Sequence, residues 1–188
     1  MKPHNKNRYL LESERLVMTE ITNNDLNDIH TLHSTPEVDE FNTLGMPKDI
    51  QETSNFISAT IKDQQTTDRK HICWTIKTKS DNNFIGIAGL VFSANRFRMA
   101  EIYFKLSPAF WGKGFATELA IRIFQFAFRD LGLHRIEAGV ETENVRSIKV
   151  LEKLGMIREG IRRKILPIRG EWKDNYHYAI LEEEFSAI

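Results

Sequence analysis

Apolar residues in this chain recur at two spacings, and the spacing changes from segment to segment. Along Arg15 to Thr19, His71 to Thr78, Phe84 to Phe92, Met99 to Leu106 and Arg135 to Val140 they alternate or form short runs, which predicts strands. Elsewhere they return every third or fourth residue, the spacing that lines one face of a helix. Leu26, Ile29 and Leu32 do so, as do Ile50, Phe56, Ile57 and Ile61, then Leu119, Ile123, Phe126 and Ala127, and finally Ile148, Leu151 and Leu154. Start and stop residues agree with these frames. Thr22 to Asp25 opens the first helix and Pro36 interrupts its pattern; the second runs from Asp49 through Ile61. The third follows a glycine turn and ends at Gly132, and Asn144 caps a fourth that closes at Gly155.

The connections limit the topology. Asp81-Asn82-Asn83 is a hairpin-turn signal, and Ser93 to Arg98 is a longer turn. The three strands between 71 and 106 therefore form an antiparallel meander. The next strand, Arg135 to Val140, is reached through a helix, which makes it parallel to its predecessor. Ile161 to Ile168 and Tyr176 to Leu181 read as a closing hairpin around Arg169-Gly170. No repeat or linker divides the 188 residues, so the expectation is one domain spanning 1–188.

Composition narrows the function by exclusion. Lys plus Arg number 26 and Asp plus Glu number 26, so no global field favours nucleic acid, and any anion site must be local. The longest apolar run, Phe84 to Phe92, is too short to span a membrane, and Met1 to Arg8 reads as a polar, frayed start rather than a secretion signal. The single cysteine, Cys73, permits no intrachain disulfide; a reducing, cytoplasmic setting is the expectation, with Cys73 a packed strand residue. His30 and His33 lack partners at metal-site spacing and read as ordinary helix residues, so no metal is expected.

Candidate chemistry gathers at two helix starts. Leu106-Ser107-Pro108-Ala109-Phe110-Trp111-Gly112-Lys113-Gly114-Phe115-Ala116-Thr117-Glu118 describes a strand end, a glycine turn and a helix start. Glycines let successive N–H groups turn inward, and a helix start offers unpaired donors and partial positive charge, a setting that suits phosphate. Lys113 adds a movable cation. Downstream, Asn144 and Ser147 place two small polar groups at the next helix mouth. If their strand neighbours the one feeding the glycine turn, both mouths face one cleft.

Taken together, these segments resemble the GCN5-related N-acetyltransferase (GNAT) superfamily, in particular its ribosomal-protein N-terminal acetyltransferase-like group. The resemblance rests on Glu14-Arg15-Leu16, Ala100-Glu101-Ile102 with Pro108 and Trp111 to Glu118, His134 to Glu137, Asn144-x-x-Ser147 with Leu151 to Met156, and Gly170 to Asp174 before Tyr178. It implies an α/β (α+β) GNAT fold. The sheet would be mixed and mostly antiparallel, with about seven strands splayed at the acetyl-CoA site and about four flanking helices. It also implies acetyl-CoA as cofactor, its pyrophosphate held by Gly112, Lys113, Gly114, Phe115, Ala116 and Thr117; Trp111 would cover the cofactor or anchor the turn. The pantetheine arm would pair with Phe104, Lys105 and Leu106, and Asn144 and Ser147 would lie near the thioester. The wider superfamily often has arginine or glutamine where this chain has Ala109, and a tyrosine acid where it has Leu151. Tyrosine-dependent chemistry therefore does not carry over.

The reaction so implied is direct attack of an amine on the thioester. A protein α-amine is roughly 10% neutral at pH 7 and a lysine amine roughly 0.04%, so an α-amine needs the lesser help from a base. An N-terminal acceptor, such as that of a ribosomal protein, is the first expectation, and a small amine (polyamine, amino acid or antibiotic) the second. A non-catalytic acyl-CoA-binding module is the reading from another class. Glu101 is the base candidate, its alternative being a strand carboxylate paired with a cation. Glu137 reads first as a salt-bridge residue. Ser147 would donate to the leaving sulfur or serve as a second cap. Substrate choice is expected to rest on Pro36–Gly45 and the loops at Phe97 and Ile168. Glu37, Asp39 and Glu40 would attract a cationic acceptor or form a solvated acidic surface. The chain would act as a monomer or homodimer, without nucleic acid or membrane.

Overall fold

The computed structural model describes residues 9–185, so the start read at Met1 to Arg8 lies outside them. Eight strands form one sheet: β1 (Leu11–Glu12), β2 (Leu16–Glu20), β3 (His71–Thr78), β4 (Phe84–Phe92), β5 (Met99–Leu106), β6 (Arg135–Glu141), β7 (Ile157–Ile168) and β8 (Glu171–Leu181). Their order is β1-β2-β3-β4-β5-β6-β8-β7, antiparallel throughout except between β5 and β6. The helices are α1 (Leu26–His33), α2 (Pro36–Asp39), α3 (Ile50–Gln64), α4 (Phe115–Gln125), α5 (Val145–Lys153) and α6 (Glu182–Phe185).

Strand alternation sorts the core into two layers. Ile72, Trp74 and Ile76 of β3, Ile102 and Leu106 of β5, and Ile136, Ala138 and Val140 of β6 turn to one face. There they pack with Leu119, Ile123 and Phe124 of α4 and Leu151 of α5. Cys73, Ile87 and Tyr103 turn to the other face, against Ile29 and Leu32 of α1 and Ile57 of α3. The strands expected at 71–78, 84–92 and 99–106 form with those bounds. The sheet has one strand more than the pattern shows, because β1 is only two residues long. The closing hairpin also starts earlier than expected, at Ile157 and Glu171. Two single-turn helices, α2 and α6, join the four read from the pattern, and α4 ends in a π turn at Phe126–Asp130.

One departure from regular pairing sets up everything that follows. β5 and β6 pair only at Met99/Arg135, Ala100/Ile136 and Glu101/Glu137. Beyond Glu101 the strands part. β5 still pairs with β4 up to Leu106, and β6 with β8 up to Glu141, so the gap is held open by intact sheet on both sides.

Candidate active site

The parted strands open a groove of about 680 Å³. Its β5 wall is a free strand edge. Ser107 N–H reaches Ile85 O (2.9 Å), which by alternation directs the polar groups of Lys105, Tyr103 and Glu101 at β4. The backbone groups of Phe104 and Leu106 therefore face the gap. Leu106 O accepts from Trp111 Nε1 at 2.7 Å, so the indole ties the glycine turn to the strand end.

Gly112 (φ +71°) and Gly114 (φ +80°) occupy the left-handed region, where a side chain is strained. Gly114 is the N-cap of α4 and has no capping side chain. The N–H groups of Gly112 through Thr117 find no protein acceptor among the described residues, while the next one, Glu118 N–H, reaches Gly114 O (3.1 Å). Unpaired donors at a helix start form an anion cradle. The turn is fastened from behind. Glu118 accepts from Ser13 Oγ (2.7 Å), Arg15 N–H (2.7 Å) and Arg15 Nε (2.6 Å). The Arg15 guanidinium lies 4.3 Å from the Phe115 ring centre. Burial works against the ionised Glu118, but these donors outweigh it and hold its carboxyl below the usual range.

On the β6 side, Asn144 Oδ1 accepts from Ser147 N–H at 3.1 Å and so caps α5. The Ser147 hydroxyl lines the groove with no partner among the described residues, which leaves it free to donate. Glu101 stands at the fork and lines the groove, its side chain with neither ion pair nor hydrogen bond among the described residues. Glu137, its register partner, is held by Arg135 (2.8 Å) and His177 (3.3 Å), the salt-bridge role expected of it.

The family follows from this geometry and from the sequence. Residues 15–157 match the family model described as the acetyltransferase (GNAT) domain. The chain belongs to the GNAT acetyltransferase family. A Bacillus subtilis relative, the uncharacterised N-acetyltransferase YoaA, is 31% identical over 173 residues, 92% of this chain and 97% of its own. A GNAT-family acetyltransferase structure from Bacillus anthracis superposes with a TM-score of 0.80 at 29% identity, covering 93% of this chain and 99% of that one. The spermidine N(1)-acetyltransferase of Vibrio cholerae is 30% identical over 106 residues, 56% of this chain and 61% of its own.

The GNAT groove gathers nearly all the residues expected from sequence. Phe104, Lys105, Leu106, Trp111, Gly112, Gly114, Phe115, Ala116, Thr117, Asn144, Ser147 and Glu101 all line it. Lys113 does not. Its ammonium sits 5.5 Å from the Phe110 ring centre and its carbonyl accepts from Arg15, which leaves only its N–H for the cradle. Leu151 is core. Cys73 is buried, and burial pushes its thiol up to about 12, which rules it out as a nucleophile.

The 36–45 segment also lines the groove, through Glu37, Val38, Phe41, Asn42 and Thr43. Phe97 and Ile168 are not part of it; Leu166 of the β7–β8 hairpin is. The acidic cluster divides by role. Asp39 is buried and faces Arg169 at 3.5 Å, Glu40 pairs with Arg146 at 2.9 Å, and Glu37 faces the groove without a partner among the described residues. Lys105 Nζ donates to Asn42 Oδ1 (3.0 Å), and burial lowers its pKa against the opposing pull of Asp39. Sequence reading missed the basic stripe of α5. Arg146, Lys149 and Lys153 share a helix face with Val150 on the groove, and their spacing was the available signal.

Proposed function

We propose that this GNAT protein transfers the acetyl group of acetyl-CoA to a small cationic primary amine of the polyamine class. Acetyl-CoA, when bound, supplies the thioester carbon that the amine attacks. The free N–H groups of Gly112 to Thr117 fit its pyrophosphate, the open edge at Phe104 and Leu106 fits the amide-bearing arm, and the α5 stripe adds positive charge for its phosphates. Ser147 donates to the departing sulfur.

The observation that carries the choice of acceptor is the unpaired state of Glu101 and Glu37. Glu37 attracts a second positive charge, and Glu101 takes up the proton that the attacking nitrogen sheds. The preference for an α-amine rests on its lesser need for help from a base. A free carboxylate at the fork removes that advantage, because it can serve an amine of high pKa through water. The relative named as a spermidine acetyltransferase supports the same reading.

The protein N-terminus is the second reading, favoured by the larger neutral fraction of an α-amine. Steady-state assays of wild type and Glu101→Gln with polyamines, amino acids and N-terminal peptides test both, with products identified by mass spectrometry. The expected result is N-acetylated polyamine and a loss in kcat of about 10²–10⁴-fold in the variant, with coenzyme A affinity retained. Products acetylated only on peptide α-amines would move the assignment to the second reading. Coenzyme A binding without turnover of any amine would make the protein a binding module.

A further inference from the structure

Asn175 of β8 was not among the residues expected at the site, yet it lines the groove and is 8% exposed. Its Oδ1 accepts from Val140 N–H at 3.0 Å. That bond fixes the amide's orientation, since only the carbonyl oxygen can serve a backbone donor. Nδ2 is left with no acceptor among the described residues and is not sealed from solvent, so it opens on the groove.

Gly139 of β6 lies directly beneath. A Cβ there would stand 2.7 Å from Asn175 Nδ2 and 3.3 Å from Glu101 Oε1. The amide and the carboxylate are therefore no more than about 6 Å apart, a span that one water bridges with two bonds of ~2.9 Å. Gly139 has no positive φ, so the lack of a side chain serves space rather than backbone conformation. The other charged groups on this face have partners of their own. Buried Glu141 of β6, the register partner of Asn175, accepts from Thr142 Oγ1 (3.2 Å) and Glu143 N–H (2.7 Å), and Lys105 of β5 donates to Asn42 Oδ1. Glu137 and Arg135 of β6 and His177 of β8 hold one another, and Val91 of β4 is the register partner of Glu101.

We propose that Asn175 is a positioning residue. Its amide and the Glu101 carboxylate, meeting over Gly139 where β5 and β6 part, hold between them the water that receives the proton of the attacking amine. As the amine nitrogen forms its bond to the acetyl carbon and the carbon–sulfur bond breaks, the nitrogen's proton passes to this water. The water gives one of its own to Glu101 and is regenerated, and the departing thiolate takes a proton from solvent. The inference rests on Glu101 being the base.

The test compares wild type, Glu101→Gln, Asn175→Asp and Gly139→Ala. Asn175→Asp keeps the acceptor for Val140 N–H, replaces the donor and sets a second carboxylate beside Glu101, which disfavours ionisation of both. Expected are unchanged coenzyme A affinity by calorimetry and an upward move of the acid limb of kcat/KM. The Glu101 side-chain carboxyl carbon, followed by NMR in the free protein, should titrate higher as well. Gly139→Ala, which adds no charge, should lower kcat about tenfold or more by pushing the Asn175 amide aside and filling the water's place, with the KM for acetyl-CoA held. Wild-type activity in Glu101→Gln would sink the base assignment beneath the proposal. Impaired Glu101→Gln together with an unmoved acid limb and titration in Asn175→Asp, or wild-type kcat in Gly139→Ala, would overturn the proposal alone. A rate loss in Asn175→Asp with neither pH readout moved would make Asn175 structural only.

Discussion

Gly112 shows how a single residue can be tested as part of a ligand site rather than of the fold. A Cβ at this position meets no protein atom within 4 Å, so a side chain here displaces what binds and leaves the protein itself undisturbed. The backbone is left-handed at φ +71°, which asparagine tolerates and valine resists. Gly112→Asn should therefore fold with little change in melting temperature and still lose coenzyme A affinity by about tenfold to a hundredfold, the worth of one charge-assisted hydrogen bond. Gly112→Val should lose as much affinity and some stability besides. Unchanged affinity in Gly112→Asn by calorimetry would remove the cradle from the site. The glycines were legible in the sequence because turn chemistry is local. Asn175 and Gly139 were not, since their roles arise only when β8 is laid beside β6, a pairing some 35 residues apart in the chain. Lys113 misled for a related reason. Its place in the motif is visible from sequence, but not the Arg15 side chain that claims its carbonyl.

At the scale of elements, the start of α4 is held by a carboxylate from within the motif. Glu118 gathers donors from Ser13 and Arg15, residues more than a hundred positions away in sequence. Its carboxyl titrates below its ordinary value of 4.5, so the ionised form is the one the fold favours. Its contribution is fully present above that ordinary value and is lost as the pH falls through the lower native one. Glu118→Ala should cost about 1–3 kcal/mol, and so roughly 2–12 °C in melting temperature, at neutral pH. The gap between variant and wild type should close on acidification below about pH 4.5. A gap that stays constant to pH 3 in thermal melts would mean the carboxylate's charge is not what holds the turn. Elements of regular period could be read without such knowledge, as β3, β4 and β5 were. The two-residue β1 and one-turn α2 are too short to show a period. β7 conceals its start because register shifts at Arg158/Gly160 and Arg162/Leu166 break the alternation.

For the molecule as a whole, the consequence is a sheet joined across its middle by few bonds. β1 to β5 and β6 to β8 meet through three residue pairs, and below them the edges of Phe104 and Leu106 face open groove. Besides Arg98 and Glu182 beside the paired residues, two ion pairs reach across. Arg146 of α5 holds Glu40 just beyond α2, and Arg169 at the β7–β8 turn faces Asp39. A ligand lying between the strands adds a further connection, pairing with β5 on one side and packing on β6 and α5 on the other. Binding that favours the native state over the unfolded raises stability by about 2.7 kcal/mol at a hundredfold excess over Kd. In a chain of this size that is roughly 5–11 °C. Coenzyme A should produce a rise of that order, and hydrogen exchange should slow at residues 104, 106 and 112–117, whose amides the ligand would engage. The control lies within the same strand: Tyr103 and Lys105, already paired with β4, should change less than Phe104 and Leu106. A thermal shift accompanied by uniform protection, with no difference between alternate residues of β5, would place the ligand somewhere other than the fork.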